Sequence, residues 1–240
     1  MSLNGPLQIS RALLAAMGTR MFVCHENRIP TGCAVLVVSN HRSFMDAPLL
    51  MAAVGQPIRF ACHHYMGQVP VLREIVTQMG AFPLEAPAHR GQHFFQQAAQ
   101  LLAARQWVGV FPEGGQPMLQ PTQPAEVGEF HRGFAHLALR APVRDLAVLP
   151  VALASSKEVI RPLMPVRLLS LFDPEEPLFE REGWHPVVIY KRVTLLIGRP
   201  YWIAPSHQQA YQGKQAKTLV GDLLGHTHAE IAGLLRFGCC

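Results

Sequence analysis

The stretch AVLVVSNHRSFMDAPLL, residues 34–50, runs from an apolar segment through a polar turn into a second apolar segment. An apolar run of this length that ends in turn residues is typical of a buried strand in a parallel sheet. Residues 47–54 predict a helix, because Pro48 stands where a first helical turn tolerates proline. The stretch therefore predicts a strand, a turn and a helix, which together form the repeating unit of an α/β fold.

The same alternation continues along the rest of the chain. Buried strands are predicted at residues 34–38, 58–62, 81–84, 107–111, 146–153 and 193–197. Helices are predicted at residues 47–54, 71–79, 92–105, 131–140 and about 214–236. Strands that alternate with helices need crossover connections. We therefore predict a single α/β domain over residues 1–240, with a mostly parallel or mixed sheet flanked by helices.

Three segments lie outside this alternation. The N-terminal stretch QISRALLAAMGTRMFV, residues 8–23, predicts an amphipathic helix that either covers the core or lies in the headgroup layer of a membrane. The proline-rich insertion at residues 161–186 is apolar, and it serves either for packing or as a surface that meets lipid or a partner. The proline-rich segment 116–130 predicts a long loop, and loops of this length are often functional.

The composition is that of a basic and unusually apolar protein. Of the 240 residues, 49% are hydrophobic and 15% are charged, against about 25% charged in an average soluble domain. The net charge is +5, but no run of five like charges occurs, which argues against nucleic-acid binding and favours a membrane surface or discrete anion contacts. No apolar run reaches the roughly 20 residues of a membrane span. We expect a cytoplasmic protein that associates peripherally with the membrane and binds no nucleic acid.

Several classes of site lack their sequence motifs. The five cysteines are odd in number and fit neither a zinc ribbon nor a CxxC pair, which favours a reduced setting. His226 and His228 have the spacing of metal ligands but no acidic or thiol partner with ligand spacing nearby, so we expect no metal. The chain has no GxSxG elbow of a serine hydrolase, and no phosphate-binding GxxxxGK[ST] or dinucleotide-binding GxGxxG loop.

Two polar turns follow predicted strands and are expected to lie close together. SNHRSFMD follows strand 34–38, and PEGGQ follows strand 107–111. If both strands are parallel, the turns lie at the same edge of the sheet, beyond its carboxyl ends, where open α/β sheets bind ligands. Glycines in PEGGQ let backbone N–H groups approach an anion, and an ordinary turn at the end of a strand explains them equally well.

Helix capping explains Asp46 by itself but does not explain His41, which is either a structural histidine, as lone histidines usually are, or a catalytic one. Asp46 precedes Ala47-Pro48 and fits a helix N-cap, and Ser43 with Asp46 fits a capping box. A turn has no need of His41. A histidine held by a carboxylate keeps one tautomer and leaves its other nitrogen free to take a proton from a hydroxyl. The residues alone leave two alternatives, a capped helix start and a histidine–aspartate pair that acts as a general base.

The two turns together resemble the first and third motif blocks of the glycerolipid acyltransferases, the lysophosphatidic acid acyltransferase family. The family's NHxSxxD is matched by Asn40, His41, Ser43 and Asp46, and the core of its FPEGTRS by Phe111, Pro112, Glu113 and Gly114. FHRGFAHLA at residues 130–138 resembles the family's FKxGxxxLA helix, and VLPV at residues 148–151 resembles its fourth block. The order and spacing agree over about residues 35–153. The resemblance implies a single acyltransferase domain over residues 1–240 with this motif core.

The chain departs from the family pattern at several basic positions. GAFPLEA fits the second block, GxFPxxR, except that Ala86 stands at the arginine, and Arg90 follows four residues later. The third block reads EGGQ where the family has EGTR. His131 stands at the usual lysine and is followed by Arg132. The resemblance implies that these basic residues hold the phosphate of the acceptor, so the headgroup of the acceptor stays open.

The resemblance implies transfer of a fatty acyl group from a thioester to the hydroxyl of a lysophospholipid. The first expectation is 1-acyl-glycerol-3-phosphate as acceptor and phosphatidic acid as product. His41 is the implied general base, and Asp46 orients it and supports the imidazolium. The donor is acyl-CoA or acyl-carrier protein, which is a co-substrate, and no bound cofactor is implied.

The acceptor site is implied to include residues of the later motif blocks. Glu113 and Gly114 would shape it, and Arg90 and Arg132 are the best phosphate contacts. Arg42 is a weaker candidate for this contact, and the alternative is that it points to solvent. The alternatives are another acceptor, such as glycerol-3-phosphate, a different lysolipid, or a non-phosphorylated alcohol or amine. A membrane-docked lipid-binding protein without turnover is the alternative from another class, and a hydrolase is a third.

Overall fold

An eight-stranded mixed sheet forms the centre of the computed structural model, which describes residues 5–62, 66, 70–85, 90–171, 174, 176–180 and 182–238. The strands are β1 (Arg20–Cys24), β2 (Ala34–Ser39), β3 (Ile58–Cys62), β4 (Phe82–Pro83), β5 (Trp107–Val110), β6 (Leu146–Pro165), β7 (Trp184–Ile197) and β8 (Tyr201–Ile203). The helices are α1 (Gly5–Ala16), α2 (Asp46–Val54), α3 (Pro70–Gln78), α4 (Arg90–Ala103), α5 (Gln116–Leu119), α6 (Gly133–Arg140), α7 (Pro205–Gln209) and α8 (Gly213–Phe237).

The sheet is parallel at its centre and antiparallel on one side. Its strand order is β1-β7-β6-β2-β5-β3-β4, and β8 pairs with β6. β2 is parallel to β5 and β6, and β3 is parallel to β5 and β4. β7 is antiparallel to β6, and β1 is parallel to β7. The predicted α/β fold, with a mostly parallel or mixed sheet flanked by helices, is confirmed.

β2 is buried throughout, because it lies inside the sheet and helices cover both of its faces. All six of its residues are buried. Leu36 and Val38 pack with side chains of α4, α6 and α8, whereas Val35 and Val37 pack on the opposite face with side chains of α1 and α2. Successive residues of a strand face opposite sides of the sheet. A strand covered on both faces needs no polar positions, which explains the apolar run AVLVV.

The N-terminal stretch forms a helix that is shorter than predicted, followed by a strand. α1 ends at Ala16, and Leu7 and Leu14 on its buried face join the core cluster that contains residues of α2. Gly18 adopts a left-handed φ of 64°, which lets the chain turn out of the helix. Residues 20–24 then form β1, so the expectation of helix as far as residue 23 is wrong. The helical part covers the core, which is one of the two roles expected for it.

The insertion predicted at residues 161–186 is part of a long antiparallel hairpin. β6 runs to Pro165 and β7 begins at Trp184, so both strands extend beyond their predicted ends. Two 3-10 turns lie between them, Val166–Leu171 and Pro177–Glu180. Pro162 and Pro165 lie beyond Val151, the last residue of β6 that pairs with β2, and a strand edge of this kind tolerates proline. We call residues 155–193 the β6–β7 arm.

The remaining predicted elements agree with the structure to within a few residues at their ends. The predicted C-terminal helix at about 214–236 is α8, and the predicted strand at residues 81–84 is reduced to two residues in β4. The loop predicted at residues 116–130 begins with the short helix α5 and is otherwise irregular. No helix in the described part of the chain is long and apolar enough to cross a membrane.

Candidate active site

The polar turn between β2 and α2 lies at the carboxyl end of β2. The side chain of Asn40 fixes its start, since Nδ2 donates to the carbonyl oxygen of Leu153 at 3.1 Å and Oδ1 accepts from the Leu153 N–H at 2.8 Å. Ser43 fixes its middle, because its hydroxyl donates to the carbonyl oxygen of Val188 at 2.6 Å. The turn is therefore held against both strands of the hairpin formed by β6 and β7.

His41 and Asp46 form a hydrogen-bonded pair within this turn. The distance from His41 Nδ1 to Asp46 Oδ2 is 2.8 Å, and the Asp46 side chain is completely buried. The same carboxylate oxygen accepts from the backbone N–H groups of Arg42 at 2.7 Å and Ser43 at 2.8 Å. With Nδ1 donating to the carboxylate, Nε2 is the basic nitrogen, and no described residue forms a hydrogen bond with it. The pair can accept a proton at Nε2.

The two capping interpretations of Asp46 are partly wrong. α2 begins at Asp46, and its N-cap position is Met45, which makes no side-chain capping bond. The carboxylate of Asp46 accepts from the Ser43 N–H, as in a capping box, but the Ser43 hydroxyl accepts from Met45 rather than from Asp46. Half of the box is present, and the carboxylate also contacts His41.

The imidazole of His41 is held by an aromatic stack as well. Its ring lies parallel to Phe111, with 4.0 Å between ring centroids, and Phe111 stacks on Phe60 at 5.0 Å. A Cβ on Gly109 would lie 2.1 Å from the Phe60 ring, so β5 needs glycine there. His41 therefore has two independent restraints on its ring, the Asp46 carboxylate and the stacked Phe111.

Glu113 joins the two motif turns. Its Oε1 accepts from the His41 N–H at 3.0 Å, and its Oε2 accepts from the Gly128 N–H at 2.7 Å. A Cβ on Gly128 would lie 2.9 Å from this oxygen, so the loop approaches closely only because of its glycine. Both carboxylate oxygens of Glu113 are therefore bound to backbone groups. The family resemblance implies an acceptor-site role for Glu113, and no sequence pattern indicates this bridge.

Two of the other expected acceptor residues, Gly114 and Arg132, lie beside His131. Gly114 has a φ of +72°, and a Cβ there would lie 3.6 Å from the ring of His131. The His131 N–H donates to the carbonyl oxygen of Pro112 at 2.8 Å, which brings the exposed Arg132 next to the third motif. Arg90 is the first residue of α4, and Ala86 lies outside the described residues.

Arg42, the weaker candidate for a phosphate contact, is buried and does not point to solvent. Its guanidinium forms a two-pronged ion pair with Glu158, with both N–O distances at 2.9 Å, and its Nε donates to the carbonyl oxygen of Thr122 at 2.8 Å. The sequence could not show this contact, because Glu158 lies 116 residues away in the β6–β7 arm. Arg42 is thereby occupied and unable to bind a phosphate without breaking the pair.

The electrostatics around Asp46 follow from these contacts. Burial opposes ionisation of Glu158, but the hydrogen bond from Arg42 and its charge outweigh it and lower the pKa of Glu158. Burial raises the pKa of the Tyr190 phenol well above its usual range, and the Asp46 charge raises it further. Tyr190 is therefore a protonated hydroxyl near Asp46 at neutral pH, a feature that the sequence did not single out.

The described cysteines offer no activated thiol. Cys33 and Cys62 are free, and burial raises the pKa of Cys62 to about 11, so it is a thiol at neutral pH. Cys24 is disulfide-bonded, in contrast to the expectation of reduced cysteines. The described residues contain no group of three or more His, Cys, Asp or Glu side chains placed to hold a metal ion.

Comparisons with known proteins show what this chain is similar to. A family model named Acyltransferase matches residues 20–154, which is more than half of the chain. A lyso-ornithine lipid O-acyltransferase of Brucella abortus (strain 2308) is 32% identical over 132 residues, or 54% of this chain and 48% of that protein. The chain thus matches about half the length of this relative. The crystal structure of the 1-acyl-sn-glycerophosphate (LPA) acyltransferase PlsC from Thermotoga maritima aligns with a TM-score of 0.64 at 17% identity, covering 98% of this chain and 78% of that one.

Proposed function

Because the chain belongs to the acyltransferase family, we propose that it transfers a fatty acyl group from a thioester to the hydroxyl of a lyso-lipid, with His41 as the general base. The observation that carries this proposal is the 2.8 Å hydrogen bond between His41 Nδ1 and Asp46, which leaves Nε2 to accept a proton. Phe111 stacks on the ring and keeps Nε2 in place. Asp46 orients the imidazole and supports the charge that it gains.

The reaction proceeds by direct attack on the thioester. The acceptor hydroxyl gives its proton to Nε2 of His41 while its oxygen adds to the thioester carbonyl. The tetrahedral intermediate collapses, the carbon–sulfur bond breaks, and the imidazolium returns the proton to the leaving thiolate. The products are the ester and a free thiol. A positioned base of this kind typically contributes about 10²–10⁴-fold to the rate.

The headgroup of the acceptor depends on the basic residues that the site has kept. Arg42 is occupied by Glu158, and EGGQ replaces EGTR in the third motif, so two sources of phosphate-binding charge are missing. This favours an acceptor without a phosphate monoester, such as the lyso-ornithine lipid in the name of the Brucella relative. The second candidate is 1-acyl-glycerol-3-phosphate, giving phosphatidic acid. The exposed Arg132 beside His131 favours it, and Arg90 would be its second phosphate contact.

The proposed setting is the cytoplasmic face of a membrane, with acyl-CoA or acyl-carrier protein as donor. Half of the ten exposed large apolar side chains in the described residues lie in the β6–β7 arm. These are Ile160, Leu163, Leu168, Leu171 and Trp184. An apolar surface beside the site suits an enzyme that takes a single-chain lipid from a bilayer. Peripheral association therefore accompanies the proposed activity.

The test is acyl transfer followed by thiol release, with acyl-CoA and acyl-carrier protein each as donor. Lyso-ornithine lipid, lysophosphatidic acid, glycerol-3-phosphate and an uncharged lyso-lipid are compared as acceptors. We expect transfer that disappears in His41→Ala and persists in the control His226→Ala, whose side chain is exposed on α8. Thiol release that survives His41→Ala contradicts the assigned base. Release of free fatty acid without an acyl product indicates a hydrolase, and lipid binding without thiol release indicates a non-catalytic protein.

A further inference from the structure

One oxygen of the Asp46 carboxylate has no hydrogen-bond donor among the residues that the structure describes. Oδ2 accepts three hydrogen bonds, but Oδ1 is buried and no donor among the described residues meets hydrogen-bond geometry at it. A buried acceptor without a donor costs free energy, and such atoms in a folded protein call for an explanation. A hydrogen-bond donor is therefore expected beside Oδ1.

Tyr190 is the polar side chain that faces Asp46. It follows Val188 by two residues on β7, so both side chains point to the same side of the sheet. The carbonyl of Val188 already accepts from Ser43 in the polar turn, which places this part of β7 against the turn. The Tyr190 side chain is 1% exposed, and its phenol interacts with the Asp46 charge. Its hydroxyl is thus a buried donor close to a buried acceptor.

Glu158 lies directly across the hairpin from Tyr190. The two residues are partners in the antiparallel ladder, so their side chains share one face. Glu158 binds the guanidinium of Arg42, and the backbone N–H of Arg42 donates to Oδ2 of Asp46 at 2.7 Å. Two neighbouring residues of the arm therefore lie on the side of Asp46, Tyr190 with its phenol influenced by the Asp46 charge and Glu158 linked to it through Arg42.

We propose that Tyr190 and Glu158 are positioning residues for the His41–Asp46 pair. Tyr190 donates to Oδ1 of Asp46, and Glu158 neutralises the guanidinium of Arg42 and holds in place this residue, whose backbone N–H donates to Oδ2. This inference rests on the proposed role of His41 as general base. It assigns to the β6–β7 arm a part in catalysis that lies outside every motif block of the sequence.

The sign of each effect on the base follows from the charges that surround it. Four described groups face the pair: Arg42 from the turn itself, Glu113 from the turn after β5, Glu158 from β6 and Tyr190 from β7. A donor at Oδ1 withdraws negative charge from Asp46 and weakens its hold on the imidazolium. An anion at Glu158 cancels the positive charge of Arg42, which would otherwise oppose the imidazolium.

Tyr190→Phe and Glu158→Gln are expected to shift the pH profile in opposite directions. Tyr190→Phe leaves Asp46 a stronger partner for the imidazolium, so the acid limb of kcat/KM moves to higher pH by roughly half a unit to one unit. Glu158→Gln leaves Arg42 unneutralised, so the limb moves to lower pH. We expect kcat to fall roughly tenfold in Tyr190→Phe, with little change in KM, because the carboxylate loses one restraint.

The control is Tyr211→Phe. It removes a hydroxyl that forms a 2.6 Å hydrogen bond with His136, outside the candidate site, and is expected to leave the pH profile unchanged. Tyr190→Phe decides the proposal, since the phenyl ring preserves the packing even where Glu158→Gln fails to fold. An unshifted limb in Tyr190→Phe overturns the inference alone if His41→Ala is inactive. If His41→Ala stays active, the proposed function and this inference fall together.

Discussion

The polar turn after β2 and the β6–β7 arm differ in how their residues are held. In the turn, Asn40, Ser43 and Asp46 are buried, and backbone groups bind each of their side chains. The arm is buried at its base, around Val188 and Tyr190, whereas its outer part has a small buried apolar cluster, Val166, Leu169 and Phe179, and exposes large apolar side chains. The difference separates two kinds of contribution. The turn fixes the geometry of the His41–Asp46 pair, and the base of the arm holds the turn while the outer part presents an apolar surface.

The sharpest test of the turn is Asp46→Asn. The amide keeps the shape but removes the negative charge and presents an N–H₂ group to neighbours that include two N–H donors. We expect kcat to fall by about 10²–10⁴-fold, since the imidazole loses its tautomer and its charge support. Steady-state thiol release measures this, with Asp222→Asn, an exposed carboxylate on α8, as control. If kcat of Asp46→Asn were as little affected as that of Asp222→Asn, Asp46 would have no part in the mechanism.

Glu113→Gln tests whether the turn needs its bridge to the neighbouring loop. Both carboxylate oxygens accept from N–H groups, so the amide nitrogen of glutamine would face a donor. We expect the free energy of unfolding to fall by about 1–3 kcal/mol, with a lower kcat. Urea unfolding measures the first quantity, and the exposed Glu126→Gln is the control. A fully stable Glu113→Gln would show that the loop is held by other contacts.

Gly109→Ala tests the aromatic stack behind His41 without touching a polar group. The added Cβ would overlap the Phe60 ring and displace it from Phe111. We expect a loss of about 1–3 kcal/mol in unfolding free energy. Gly133→Ala is the matched control, because no atom lies within 4 Å of its added Cβ and it begins α6. A neutral Gly109→Ala would mean that the stack relaxes without cost.

Substitutions in the outer arm should leave the turn intact and weaken binding to lipid. Trp184 and Leu171 are 60% and 75% exposed. We expect Trp184→Ala to reduce binding to phospholipid vesicles roughly tenfold, because less apolar surface then enters the membrane interface. Thermal stability should be unchanged. Vesicle sedimentation measures this, with Trp202→Ala, 52% exposed on β8, as control. Equal binding by the two variants would place the docking surface elsewhere.

The smallest expected effect concerns His185 near the tip of the arm. Burial lowers its pKa in the folded state, although its bond to the Pro186 carbonyl acts in the other direction. The unfolded chain therefore binds the proton more readily. The stability that His185 contributes is complete above its ordinary pKa of about 6.5 and is lost as the pH falls through the lower folded value. Urea midpoints above and below this window should differ less in His185→Gln than in the wild type or in the exposed His226→Gln control.

The sequence predicts features that neighbouring residues determine, but it does not predict contacts between residues that are far apart in the chain. Neighbouring residues determine three features that the sequence predicts. These are the strand before Asn40, the turn that follows it and the pairing of His41 with Asp46. The hydrogen bond that the His41 N–H donates to Glu113 joins residues 72 positions apart, and no local sequence pattern indicates it. The long hairpin was misread as an insertion for a similar reason, since proline signals a break unless the strand is known to lie at an edge.

The side chain of Asn40 has a consequence for how the chain leaves the sheet. Its amide offers one donor and one acceptor to Leu153, which is what the backbone of a neighbouring strand would offer. The ladder between β2 and β6 thus gains a further rung made by a side chain, while the backbone at this position is already free to turn. Asparagine here imitates a peptide group. Aspartate, with two acceptors, could satisfy only the N–H of Leu153, and the carbonyl would be left without its donor.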